Sequence, residues 1–142
     1  MNSELETLIT LSTDIYNSVG SGYNEVVYHR AFEVALRLNG INYESEVVTP
    51  IFYKGHNIGH GKVDIKLNNF IVELKAVSNF SSTEGVVQIK NYMKSYSINQ
   101  GLVINFGQSN NKSSGKLDFK YIFNNKVYVL VNGTFVESEI NI

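Results

Sequence analysis

The stretch Phe70-Ile71-Val72-Glu73-Leu74-Lys75-Ala76-Val77 reads as an almost unbroken apolar strand interrupted by two charges, at i and i+2. Alternation along a strand sends both charged side chains to one face. So apolar a run implies a largely buried strand, and a buried charge is costly unless it is paired or bound to a metal. Glu73 and Lys75 therefore need a compensating partner.

A partner lies one turn upstream. Asp64 sits between Val63 and Ile65 on the preceding strand pattern, and Asn68-Asn69 is a turn signal that folds the chain back toward Glu73. Two carboxylates and an ammonium would then converge. Mg²⁺ or Mn²⁺ is bound by one or two carboxylates, retained waters and phosphate oxygens. Such a site polarises a phosphate and activates water, and Lys75 can orient that water or offset developing charge, so the chemistry indicated is phosphodiester hydrolysis. Glu-x-Lys alone is also an ordinary same-face ion pair. The Asp on the hairpin partner, with the features below, is what favours the metal site.

Outward from this core, Leu5, Leu8, Ile9, Leu11, Ile15 and Val19 recur at helical spacing up to Gly20-Ser21-Gly22. A second helix starts at Tyr23 or Asn24, carries Val27, Ala31, Val34, Ala35 and Leu38 on an apolar stripe, and stops at Asn39-Gly40. Glu25 lies in its first turn, where the helix dipole favours an ionised carboxylate. That preference alone could explain the residue. Strands are expected at Ile41–Val48, Ile51–Tyr53, Ile58–Leu67 and Phe70–Val77, as an antiparallel meander with turns at Lys54–Asn57 and Asn68-Asn69. Ser82 or Thr83 caps a third helix reaching about Tyr96, on which Gln88 and Tyr92 lie four apart on one face. Jointly they could hold a phosphate, a water or Lys75; separately they read as a solvated amide and a half-buried phenol. Leu102–Phe106 is a short buried strand, Gly107 to Gly115 a surface loop, and Leu117–Phe123 with Lys126–Val131 a hairpin across Asn124-Asn125. The expected order is ααββββαβββ, in one domain spanning 1–142.

Bulk properties narrow the function. The chain has 142 residues, 43% apolar and 18% charged, with no run long enough to span a bilayer. Met1 to Thr13 carries Glu4 and Glu6 and lacks a secretory pattern, so an intracellular, cytoplasmic location is expected. Without cysteine there is no disulfide framework or thiolate metal site, which favours hard cations. The net charge of −1 supplies no overall field for nucleic acid.

Taken together, Gly22, Glu25 and Tyr28, Tyr53-Lys54-Gly55, Asp64, Val72-Glu73-Leu74-Lys75-Ala76, Gln88 with Tyr92, and Leu102–Gly107 resemble the small GxxExxY proteins, placed in the PD-(D/E)XK nuclease superfamily. The resemblance covers roughly Leu5 to Gly107. It implies an α/β (α+β) restriction-endonuclease-like core, with a central mixed sheet flanked by helices. It also implies Asp64, Glu73 and the helical acid Glu25 as metal ligands, and Lys75 as the catalytic lysine. Gln88 and Tyr92 look like the Gln-x-x-x-Tyr helix of the superfamily's exonuclease branch. Two departures stand out. Lys62 occupies a position where relatives carry arginine, and lysine lacks the bidentate fork for phosphate. The hairpin after Lys116 extends beyond the family core.

Weaker candidates complete the reading. His56 and His60 flank Gly59 and fit surface hairpin positions better than ligands. Lys62, Lys90 and Lys94, with Lys66 and Arg30, could form a basic face for phosphates or a plain solvated one. Tyr16, Tyr23, Tyr28, Tyr43 and Tyr53 could stack bases, although aromatics are usually core. The sequence therefore points to a Mg²⁺- or Mn²⁺-dependent nuclease acting on DNA rather than RNA, without resolving endonuclease from exonuclease. A catalytically silent nucleic-acid-binding or protein-interaction module is the competing reading. So small a domain has limited surface for a duplex, which makes a homodimer or a larger protein partner attractive.

Overall fold

A computed structural model describes residues 2–108 and 115–138. Two helices open the chain, α1 (Ser3–Val19) and α2 (Glu25–Leu38). Three strands follow, β1 (Glu44–Tyr53), β2 (His56–Lys66) and β3 (Ile71–Lys75), then α3 (Val86–Ser95). The chain closes with β4 (Gln100–Asn105), β5 (Asp118–Phe123), β6 (Lys126–Val131) and β7 (Thr134–Glu137). All seven strands form one mixed sheet in chain order, β1 to β7. Only β3 and β4 pair in parallel, because α3 carries the chain across between them. This is the α+β architecture with a central mixed sheet flanked by helices that the sequence led us to expect.

The strands at the centre are apolar on both sides because helices cover both faces. Leu102 and Ile104 of β4 pack under α1 and α2, against Leu8, Tyr28 and Phe32. Val103 between them packs under α3, with Ile89 and Met93. A strand covered in this way reads as a continuous hydrophobic run. Each fully buried aliphatic side chain contributes roughly 1.5–3 kcal/mol. No helix among the described residues is long and apolar enough to cross a membrane.

Three sequence expectations are corrected. The order is ααβββαββββ, since the two strands expected at 41–48 and 51–53 are one strand through Thr49-Pro50. Pro50 is tolerated because β1 is the sheet edge, where a missing N–H need not face a neighbour. The third helix begins at Val86, not at a Ser82 or Thr83 cap; turn bonds from Glu84 N to Ser81 O and from Val86 N to Thr83 O hold the preceding residues. Finally, the terminal hairpin gains β7 across Asn132-Gly133, whose φ values of 51° and 80° suit a two-residue turn. Its β5 is an interior strand of the sheet, between β4 and β6. The loop read at Gly107 to Gly115 lies, for 109–114, outside the described residues.

Candidate active site at the end of strand β3

Glu73 and Lys75 project from the α3 side of the sheet, as does Ile71 of the same strand, which packs beneath α3. Strand β2 pairs with β3 only at Ile65↔Val72 and Lys66↔Ile71, after which the two strands part. At the fork, the Asp64 carboxylate takes the place of a backbone acceptor: the Leu74 amide donates to its Oδ2 at 2.8 Å. The local backbone is distorted to match. Glu46 stands opposite Asp64 on β1 with φ 52°, a left-handed value within a strand. Val63 and Ile65, two residues apart, pack into opposite faces of the sheet, so β2 turns over at Asp64. Irregular strands of this kind re-aim side chains beside functional sites.

Glu73 is the buried acid of the pair, only 2% exposed, and its Oε1 has no hydrogen-bond partner. Burial, and then the neighbouring Asp64 carboxylate, push its pKa up from 4.5 to about 9; Lys75 and the Asp64 amide pull the other way. Glu25, exposed at the start of α2, is also raised, first by desolvation and next by Asp64, with Lys75 and His29 opposing. The four charged residues singled out by the sequence are thus within electrostatic reach of one another.

The position of Glu25 is set by Tyr28. Its buried hydroxyl donates to Gly20 O at 2.7 Å and accepts from Tyr23 N at 3.2 Å, and its ring stacks on Phe106 at 4.5 Å. The Gly-x-x-Glu-x-x-Tyr spacing therefore has a mechanical meaning: the tyrosine fastens the turn from which the acid projects. Phe106 is itself tied to the site strand, its amide bonding to Lys75 O at 2.9 Å.

Gln88 and Tyr92 pair with each other on α3. Gln88 Nε2 donates to the Tyr92 hydroxyl at 3.2 Å rather than engaging Lys75. The phenol lies against Gly61, three residues before Asp64, so closely that a Cβ at 61 would overlap it. Lys62, the next residue, is exposed. Lys94 is exposed on α3, and Lys90 approaches Asn125 O at 3.4 Å. Lys66 pairs instead with Glu44 and sits over the Tyr96 ring. His56 and His60 are exposed on the β1–β2 hairpin.

Lys120, the loop residues Glu84 and Gly85, and Asn105 lie near the site and were not anticipated. Lys120 on β5 is 2% exposed and lies in register with Val103 and, beyond it, Glu73. Its ammonium donates to the carbonyls of Ser81 and of Glu84 (3.0 Å for Glu84) and sits over the Phe80 ring at 3.8 Å. Burial lowers its pKa to about 8, Glu84 and Asp118 oppose that shift, and Lys75 adds to it. The loop it holds carries Glu84, whose charge acts on both Glu25 and Lys120. The same loop passes over Lys75 at Gly85 (φ 77°), where a Cβ would lie 3.6 Å from Lys75 Cε and 3.1 Å from Val103. Asn105 Oδ1 accepts from Val77 N (2.9 Å) and Gly107 N (3.1 Å), and its Nδ2 donates to Val77 O, pinning the chain just past β3 and β4. An alternating charge inside the apolar pattern of β5 was the available signal for Lys120; for Asn105 only its place at the end of a buried strand could have served.

A family model for the PD-(D/E)XK nuclease superfamily matches residues 2–117. The chain belongs to that superfamily. No curated protein and no solved structure matches it. In this PD-(D/E)XK chain the match takes in Glu25, Asp64, Glu73, Lys75, Gln88 and Tyr92 and ends just short of Lys120. Whether the residues fit a divalent cation is answered by Glu73. A buried carboxylate oxygen lacking any donor is the state in which a cation is the natural missing partner. Asp64 offers a second carboxylate, its Oδ2 accepting from the Leu74 amide and its side chain also within hydrogen-bond reach of Glu73. Among the described residues no three Asp, Glu or His side chains are grouped so as to hold a metal ion, so Glu25 does not join Asp64 and Glu73 as the third ligand that the resemblance implies.

Proposed function

We propose that this protein is a Mg²⁺- or Mn²⁺-dependent nuclease of the GxxExxY type that hydrolyses phosphodiester bonds, in DNA in preference to RNA. The observation that carries the reading is the orphaned Glu73 Oε1, buried beside Asp64 on a strand that also bears Lys75. An apolar core gains nothing from such a group unless something binds it.

In this reading Asp64 and Glu73 would hold the cation, with Glu25 close by at the start of α2 as a further acid. A divalent cation so held supplies Lewis acidity toward a phosphate oxygen and acidifies a bound water. Lys75 stabilises the charge that develops on the phosphate, at the edge of the apolar core where such stabilisation is strong. Lys120 and Gly85 keep the preceding loop seated on Lys75, so that its ammonium does not have to reorganise during reaction.

Calorimetric titration with Mn²⁺ and Mg²⁺ tests the reading, comparing wild type with Asp64→Ala and Glu73→Ala, followed by incubation with DNA and RNA. Saturable binding and cleavage that both disappear in the variants support a nuclease. Absence of metal binding with and without nucleic acid would sink it, leaving a module that keeps the fold for binding alone.

A further inference from the structure

The charges of this chain are segregated. Residues 47–63, most of the β1–β2 arm, and residues 86–95, helix α3, carry Lys54, Lys62, Lys90 and Lys94 along with His56 and His60, and no Asp or Glu. None of the chain's 13 acids lies on these two segments, although the protein as a whole is slightly acidic. The basic elements face each other. Between them runs a groove of about 780 Å³, lined by Pro50, Ile51 and Phe52 of the arm and by Val87, Gln88 and Lys94 of α3. A register shift between Ile51 and Phe52 places consecutive apolar side chains in the groove. Phe52 is 61% exposed and Val87 53%, with Tyr53 and Ile58 also exposed further along the arm. The groove's inner end is Gly61 and Tyr92, and the chain continues from there to Asp64.

We propose that this groove is the binding track for a single nucleic-acid strand, feeding it toward Asp64 and Glu73. The proposal rests on the nuclease reading and narrows it to unpaired substrate. Lys94 on the groove wall, in a stretch of the surface that carries lysines and no acid, matches the phosphates of a backbone. The exposed aromatic and aliphatic residues match base faces, which a duplex hides in its stack and a single strand offers. A duplex would use the lysines and leave Phe52 and Val87 in water.

The test is fluorescence anisotropy with a labelled oligothymidylate and with its oligodeoxyadenylate duplex, in EDTA so that nothing is cut. Wild type should bind the single strand at least about tenfold more tightly than the duplex. Phe52→Ala should weaken single-strand binding by roughly 5- to 100-fold, the loss expected for one base–aromatic stack, and leave duplex binding unchanged. Lys94→Glu should weaken both and reduce the salt dependence. Leu38→Ser, exposed on α2, serves as the control and should change neither. Equal affinity for the two forms, or a Phe52→Ala variant that binds like wild type, overturns the proposal. So does a Phe52→Ala variant that turns a dimer into a monomer by light scattering while keeping its single-strand affinity, since the groove would then be the seat of a second copy. Because the assay reads binding alone, groove-dependent binding by a protein that never cleaves refutes the nuclease and keeps the groove. Cleavage that ignores Phe52 does the reverse.

Discussion

Tyr28 donates its hydroxyl to the carbonyl of Gly20 across eight residues of sequence, at 2.7 Å, and so closes the turn from which Glu25 enters α2. Replacing Tyr28 by Phe keeps the ring stacked on Phe106 but deprives Gly20 O and Tyr23 N of their partner. We expect a stability loss of about 1–3 kcal/mol, the usual cost of unsatisfied buried polar groups. Mn²⁺ affinity should fall as Glu25 loses its fixed position, while the circular dichroism spectrum stays native. Unchanged affinity in a calorimetric titration would separate the tyrosine from the site.

Glu73 gives the metal-free protein a characteristic pH dependence. Its folded pKa lies above the unfolded value of 4.5, at about 9, so between those values the native state holds a proton that the unfolded state has released. The stabilisation from neutral Glu73 is therefore complete below about pH 4.5 and is lost as pH rises toward 9, with a slope of up to about 1.4 kcal/mol per pH unit. Urea unfolding in EDTA between pH 5 and pH 8 should show this decline, and Glu73→Gln should flatten it. Saturating Mg²⁺ should flatten it too, since a bound cation holds the carboxylate charged.

Removing the buried ammonium with Lys120→Met should cost little global stability, because an apolar side chain over Phe80 offsets the lost hydrogen bonds to Ser81 and Glu84. The local effect is the informative one. Amide hydrogen exchange across residues 80–86 should accelerate relative to the rest of the chain, and kcat should drop with KM little changed. Equal protection of this loop in the variant and in wild type would contradict the clamp.

At Gly61 the prediction is steric. Ala would drive its methyl group into the Tyr92 hydroxyl and should destabilise by about 1–3 kcal/mol, the range for overpacking. Tyr92→Phe removes the obstructing atom, so Gly61→Ala should cost less in that background. Denaturant midpoints for the four proteins of this cycle measure the coupling directly.

The fold was legible where one rule governed. Helical spacing gave α1 and α2, the unbroken apolar run gave β3, and the turn signals at Lys54–Asn57 and Asn124-Asn125 gave two hairpins, the first of which turns more tightly than expected, at Lys54-Gly55. It was illegible where two rules competed. The strands expected at Ile41–Val48 and Ile51–Tyr53 run together because Pro50 lies on an edge strand, and Ser82 and Thr83 offered caps to a helix whose start is fixed by the left-handed Gly85. At the candidate site, paired charges on a buried strand drew attention to Asp64, Glu73 and Lys75. Lys120 escaped because its partners are backbone carbonyls and a ring, contributed by a loop that only the tertiary structure brings near.

The sheet is laid down in the order in which its strands are synthesised. From β2 onward, each strand pairs with the one just made, so none has to wait, unpaired, for a distant piece of chain. Such a topology keeps loop-closure entropy low and confines the long-range steps to the α3 crossover and the docking of α1 and α2. The fold can assemble by successive addition at a growing edge, and the half-built sheet exposes at most the face that the next element will cover.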